Sequence, residues 1–284
     1  MKVLNFKQEL TGAFGKPIAE NPTQVMIEAA YRHHGLDWRY LTIEVAEEDL
    51  ETALKGARAM GFRGLNCTLP HKVNVIRYLD GLGQSAAVME AVNCIVPQKD
   101  GRWIGENTDG KGFLQSLKGI VEPKGRQVVI FGAGGAARAI GVELALAGAK
   151  KITIVNRSRE RGQALAGLIR DRTPAAVDFA ESAGRDFVLP NDTDIFVNAT
   201  NIGLFPDINA RVPVSGFRRG LVVADVIPNP PRTRLVQEAE AAGCTVLDGL
   251  GMLVNQGVIG IRLWTGVDPD PKVMRAALEA VFTP

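Results

Sequence analysis

The chain has 284 residues, 46% hydrophobic and 23% charged, with a formal net charge of +2. This length holds two modest domains or one large one, and the near-neutral balance, without a long basic run, gives no footing for a nucleic-acid surface. Three cysteines (Cys67, Cys94, Cys244) and three histidines (His33, His34, His71) lack metal-ligand spacing, so no metal site is expected, and an odd cysteine count fits a reducing compartment. Residues 1–12, "MKVLNFKQELTG", lack the apolar core of a signal peptide. No apolar run approaches the roughly 20 residues that cross a bilayer. The expectation is a cytoplasmic protein with no membrane association.

Helix-like and strand-like stretches alternate from residue 22 onward. "PTQVMIEAAYRHHG" (22–35) reads as a helix with Val25, Met26, Ala29 and Ala30 on its apolar face and Gly35 ending it. "WRYLTIEV" (38–45) is β-rich, 47–61 is helical by the spacing of Leu50, Leu54 and Ala57, and 62–68 follows as a strand. Residues 105–125 hold a connecting helix opened by Thr108 or Asp109. A second series then gives a buried strand (127–131), a glycine turn and a helix, and "KITIVN" repeats that order. Further strands fall at 194–200, 221–227 and 244–249, and 250–264 and 270–282 read as helices that fold back on the first series. The pattern predicts an α/β fold of two domains, each a parallel or mixed sheet covered by helices. An N-terminal α/β domain would span 1–105, completed by helices in 250–284, with a dinucleotide-binding domain over 106–249.

The turn after the first strand of the second series reads "IFGAGGAAR" (130–138). Gly132, Ala133, Gly134, Gly135 and Ala136 there let backbone N–H groups approach a pyrophosphate at the positive end of a helix. Because a buried strand precedes the turn, a helix follows, and a second strand ends about twenty residues on, dinucleotide binding is the reading. That second strand ends in "NRSRER" (156–161) rather than in the carboxylate that serves an NAD ribose. Arg157 and Arg161, beside Asn156 and Ser158, suit a 2′-phosphate, which arginine pairs bidentately. NADP is favoured, and NAD stays open.

Four polar loops stand at strand ends or helix starts: "NCTLPHK" (66–72), "AVNC" (91–94), "ENTDGKGF" (106–113) and "MLVNQG" (252–257). Together with "GKPI" (15–18), "NATNIGL" (198–204) and "RLWTG" (262–266), their order resembles the shikimate dehydrogenase family over nearly the whole chain. The resemblance implies a substrate domain and a central Rossmann domain. It also implies reversible hydride transfer between a ring hydroxyl and a ketone of a cyclic hydroxy acid. It assigns Lys72 and Asp109 as the catalytic pair. Asn66, Thr68, Asn93 and Gln256 would hold ring hydroxyls, Asn21 and Thr23 would bind the substrate's acid end, and Thr200, Val226 and Gly249 would lie by the cofactor. The chemistry stands by itself: hydride transfer leaves charge on oxygen, a lysine ammonium stabilises it and passes a proton, and an aspartate tunes that lysine.

Two departures bear on the substrate. Where shikimate-using members carry a Ser-x-Ser pair, this chain has Asn21 and Thr23 around Pro22, with Glu20 alongside. Where the family has a tyrosine hydroxyl, this chain has Pro228. The expectation is retained hydride chemistry on a small cyclic hydroxy acid, by a monomer or homodimer, with a weakened preference for shikimate. An NAD-preferring quinate/shikimate dehydrogenase and a non-catalytic nicotinamide sensor are the alternatives.

Overall fold

The computed structural model describes residues 6–182 and 185–282. The first five residues of the segment read above for a signal peptide lie outside this range. The chain divides into two compact units, one built from residues up to Thr108 and from Gly257 onward, the other from Asp109–Gln256. The divisions fall inside two helices.

The first unit begins with β1 (Glu9–Gly15), α1 (Thr23–His33), β2 (Trp38–Glu44), α2 (Leu50–Ala59) and β3 (Gly64–Cys67). It continues through α3 (His71–Asn74), a 3-10 turn (Val75–Tyr78), β4 (Gly81–Leu82), α4 (Gln84–Met89), β5 (Cys94–Pro97) and β6 (Trp103–Glu106). Its six strands lie in the order β2-β1-β3-β5-β6-β4. β1 runs parallel to β2 and β3, whereas β5 is antiparallel to β3 and β6, so the sheet is mixed. β1 was not legible as a strand, because "ELTGAFG" shows neither alternation nor β-branched enrichment. Gly12 explains its composition: a Cβ there would sit 2.5 Å from the Leu41 carbonyl oxygen.

The apolar face of α1 differs from the expected one. Thr23, Met26, Ile27, Ala30 and Tyr31 are buried, while Val25 is exposed and Ala29 only half-buried. The buried set follows i, i+3/4, i+7/8 spacing, and Val25, one residue before Met26, lies about 100° round the helix from it. In α2 the expected Leu50, Leu54 and Ala57 are the buried residues. They pack with Phe14, Leu65 and Trp103 into one core, each fully buried Leu or Phe contributing roughly 2 kcal/mol.

The second unit opens with α5 (Thr108–Lys118) and proceeds through β7 (Gln127–Phe131), α6 (Gly135–Leu146), β8 (Lys151–Asn156), α7 (Arg159–Arg172) and β9 (Ala176–Glu181). After it come β10 (Phe187–Val188), β11 (Ile195–Asn198), β12 (Val214–Ser215), β13 (Val222–Asp225), α8 (Arg234–Ala241), β14 (Thr245–Leu247) and α9 (Gly249–Thr265). Its main sheet has the order β14-β13-β11-β7-β8-β9, every pair parallel. This is the doubly wound Rossmann order, whose switch point falls between β7 and β11.

α10 (Pro271–Phe282) and the last turns of α9 return to the first unit. Gly257 lets α9 approach Met26, Ile27 and Met274, and the Trp264 ring fills the space a side chain at Gly64 would need. Trp264 Nε1 donates to the Ile95 carbonyl at 3.1 Å. Among the described residues, no helix is long and apolar enough to cross a membrane.

Candidate active site

Strand direction gathers the polar loops of the first unit at one edge of its sheet. The carboxyl ends of β1, β3 and β6 point the same way, and β5, being antiparallel, starts there. That edge therefore carries 16–23 after β1, 68–72 after β3, Asn93 before β5 and Asn107–Thr108 after β6. Loops beyond strand carboxyl ends are where open α/β sheets bind ligands. Backbone bonds knit them together: Thr68 N–H to the Phe14 carbonyl, Lys16 N–H to Leu69, and Val92 N–H to Lys72, each at 2.8–2.9 Å. The one-turn helix bearing Lys72 is further tied by His71, whose buried ring lies with Nε2 2.9 Å from the Val45 carbonyl oxygen.

The side chains at this edge differ in how far they are spent. Asn66 receives the Tyr40 hydroxyl at 2.7 Å and donates to the Asn93 carbonyl at 2.9 Å. Buried Asn93 accepts the Thr108 N–H at 2.7 Å and so caps the start of α5. Asn21 Oδ1 accepts the Thr23 N–H at 3.0 Å in an Asx-type turn, leaving its NH2 as the group on offer. The hydroxyls of Thr23 and Thr68 have no hydrogen-bond partner among the described residues, although Thr23 is buried and Thr68 half-buried. Glu20 is exposed, and Lys72 half-buried. Cys67, just ahead, is inert as a nucleophile: burial pushes its thiol up to about 12, against a smaller opposing pull from the Lys72 ammonium.

Asp109 and Gln256 belong to the second unit. Asp109 is the second residue of α5, one place inside the helix that Thr108 opens. The glycines of "DGKG" let that helix press on its neighbours: at Gly110 a side chain would strike the Ala139 carbonyl of α6, and at Gly112 it would lie 2.5 Å from the Gln256 nitrogen of α9. Asn255 also donates to Ser116 across this contact at 2.7 Å. α5 and α9 are thereby locked backbone to backbone, with Gln256 buried within one turn of Asp109.

The glycine turn follows β7 and leads into α6. Gly132 has φ +119°, and a Cβ on it would meet the Ala199 carbonyl oxygen at 2.8 Å, so this position takes glycine. Gly134 and Gly135 look onto open space, where a pyrophosphate fits against the helix start. A pocket of about 440 Å³ lies there, lined by Gly132, Ala133, Gly134, Asn156, Arg157, Ser158, Arg161 and Thr200 from the sequence reading. Ser182, Asn201, Ile202 and Pro213 line it too. Ser182 was missed because β9 was missed, whereas Asn201 and Ile202 stood inside the quoted "NATNIGL". Gly135 and Ala136 form the first turn of α6, while Val226 and Gly249 lie at the end of β13 and the start of α9, outside this pocket. Gly249 packs directly on the Val226–Ile227 backbone.

The arginines sort themselves by partner. Arg159 is held by Glu181 at 2.8 Å, whereas the guanidinium groups of Arg157 and Arg161, which line the pocket, have no ion-pair partner among the described residues. Asn156 bonds the Ser158 carbonyl at 2.9 Å and shapes the loop between them. A free pair of guanidinium groups with no pocket carboxylate suits a 2′-phosphate.

Beside this pocket, buried Asp225 holds the ends of β11 and β13. It accepts from Asn198 Nδ2 at 2.9 Å, Ile227 N–H at 3.2 Å and the Thr233 hydroxyl at 2.6 Å. Asn198 in turn accepts from Thr200 N–H and Oγ1. Burial raises the Asp225 carboxyl above its usual range, outweighing these hydrogen bonds. The folded protein then binds a proton more tightly than the unfolded chain does, so this group's contribution to stability falls as pH rises from its unfolded value through the raised one. Asp225→Ala, which orphans three donors, is expected to cost about 3 kcal/mol in urea unfolding; a loss below about 1 kcal/mol contradicts the network.

A Rossmann unit with two pocket arginines that have no ion pair among the described residues, in a chain whose other unit bears a lysine and unspent hydroxyls at a sheet edge, defines an NADP-dependent dehydrogenase acting on a CH–OH group. Comparison with known proteins supplies the family. The model of the shikimate dehydrogenase substrate binding domain matches residues 13–95, that of shikimate/quinate 5-dehydrogenase 115–202, and that of the shikimate 5′-dehydrogenase C-terminal domain 249–279. The chain is 38% identical over 276 residues to the shikimate dehydrogenase (NADP(+)) of Shouchella clausii strain KSM-K16, covering 96% of this chain and 98% of that one. The chain belongs to the shikimate dehydrogenase family. Among solved structures, a shikimate dehydrogenase in complex with NADP+ is similar at 36% identity and TM-score 0.91, covering 99% of this chain and 98% of that one. The 5-ketofructose reductase of Gluconobacter sp. strain CHM43, in ligand-free form, is similar at 53% identity and TM-score 0.95, covering 98% and 100%.

Proposed function

We propose that the chain catalyses reversible NADP-dependent hydride transfer between ketone and alcohol on a small, uncharged polyhydroxylated compound, of the kind named for the 5-ketofructose reductase it resembles at 53% identity. The carrying observation is the pair Asn21 and Pro228. They stand where the family places hydroxyl donors for a carboxylate; Pro228 has no donor, and Asn21, whose Oδ1 accepts the Thr23 N–H, offers an amide N–H in place of a hydroxyl. An acid whose charge is left unpaired loses about 2–5 kcal/mol, a cost a neutral ketose does not meet. A cyclic hydroxy acid such as shikimate or quinate is the second reading, favoured by the retained Thr23 hydroxyl and by relatives such as that of Shouchella clausii.

In this reading residues 1–105 with 250–284 serve the substrate and 106–249 the cofactor. Asn66, Thr68, Asn93 and Gln256 bind substrate oxygens, with Asn21 and Thr23 as neutral donors. When bound, the dinucleotide supplies the hydride. The Lys72 ammonium stabilises the charge arising on the carbonyl oxygen and gives it a proton, and Asp109 is its catalytic partner in this reading. Gly132–Ala136, Thr200, Val226 and Gly249 serve the cofactor, whose 2′-phosphate Arg157 and Arg161 would pair beside Asn156 and Ser158. The enzyme works in the cytoplasm, where the reduced thiols of Cys67, Cys94 and Cys244 persist, as a monomer or homodimer.

The test follows NADPH consumption with 5-ketofructose and with 3-dehydroshikimate. The expected kcat/KM is about 100-fold higher for the ketose, and Asn21→Ser with Pro228→Tyr narrows that gap. Preference for the acid in the unaltered enzyme would sink the ketose reading.

A further inference from the structure

Tyr40 lies on β2, fully buried, and belongs to none of the polar loops quoted from the sequence. Its hydroxyl is 2.7 Å from Asn66 Oδ1, and Asn66 Nδ2 is 2.9 Å from the Asn93 carbonyl oxygen. A carbonyl oxygen only accepts, so the end of the Asn66 amide facing Asn93 is its NH2. The other end is therefore the oxygen, and Tyr40 is the donor. Burial holds the phenol's pKa well above its usual value, so the hydroxyl keeps that proton. The ring itself is fixed beside Trp264, with centroids 6.4 Å apart.

The amide is thus clamped at both ends, and Asn66, half-buried at the carboxyl end of β3, keeps one N–H beyond the bond to Asn93. The chain of bonds runs on through the Asn93 side chain, which exchanges bonds with Thr108 at the start of α5. Three elements and the residue before β5 therefore share one hydrogen-bonded line, with Tyr40 at its buried end and Asp109 one residue past its other end.

We infer that Tyr40 is a positioning residue for substrate recognition: it locks the Asn66 amide so that Asn66 meets a substrate oxygen with an N–H. The inference rests on reading this sheet edge as the substrate site. It assigns Asn66 a fixed polarity: its substrate partner is an acceptor, such as a hydroxyl lone pair or a carbonyl.

The test is a double-mutant cycle of Tyr40→Phe and Asn66→Ala, with KM for substrate, KM for NADPH, kcat and thermal midpoint recorded for each. Phenylalanine preserves the ring contact with Trp264. Tyr40→Phe is expected to raise KM for the substrate about fivefold, with kcat and KM for NADPH unchanged. Asn66→Ala raises it further, and the double variant matches Asn66→Ala alone, because Tyr40 acts through Asn66. An unchanged KM in Tyr40→Phe, full additivity in the double variant, or a Tyr40→Phe protein that is unfolded at the assay temperature overturns the role. Should the unaltered enzyme prefer 3-dehydroshikimate, the ketose reading falls, while the same cycle run on that acid still decides the part played by Tyr40.

Discussion

Lys72→Met lowers kcat by about 10³-fold while leaving the affinity for NADPH intact. The magnitude follows from the two services one ammonium performs: it stabilises charge on the carbonyl oxygen and delivers the proton, contributions of about 10²–10⁴-fold for positioned acids. Methionine keeps the length of the stem, so packing around the one-turn helix His71–Asn74 is preserved. The Val45–His71 tie also remains, because it does not involve the lysine side chain. Steady-state kinetics with a fluorescence titration of NADPH separates the two quantities. Turnover within about tenfold of the unaltered enzyme would remove Lys72 from the chemistry.

Replacing Arg157 and Arg161 together by alanine raises KM for NADPH about 100-fold and leaves KM for NADH nearly untouched. Each guanidinium–phosphate contact is a charge-assisted hydrogen bond worth about 1.5–3 kcal/mol, and the two are not fully additive. Neither arginine gives up an ion pair among the described residues, so fold stability is spared. Arg159→Ala serves as the control, since its partner is Glu181. Parallel titrations with both cofactors check the result, and equal losses for NADPH and NADH would place the arginines away from the 2′-phosphate.

The second series of elements was readable because its strands are continuous apolar runs between glycine turns, the signature of a sheet covered on both faces. The first unit was harder. β1 hides behind Gly12 and Gly15, whose small size answers to neighbouring backbone and to the Thr68 side chain rather than to strand propensity. The face of α1 was misread because Val25 and Ala29 are apolar by type, and only the partners of the helix decide that Ile27 and Tyr31 turn inward. At the candidate site, the loops were visible as polar breaks, but their gathering at one edge depends on β5 running antiparallel to β3. Tyr40 was invisible for a deeper reason: an aromatic inside a strand reads as core, and its hydroxyl matters only through a side chain 26 residues away.

The seat of Trp264 against Gly64 also sets an order of events during synthesis. The ribosome releases β1 through β6 early, yet the layer that covers α1 and β3 arrives only after about 150 intervening residues of the second unit have emerged. At ordinary elongation rates that interval is roughly 10–30 s. Through that interval Met26 and Ile27 lack the cover that the turn at Gly257 brings. A chain that stops before Gly257 therefore lacks the segment that completes its first unit.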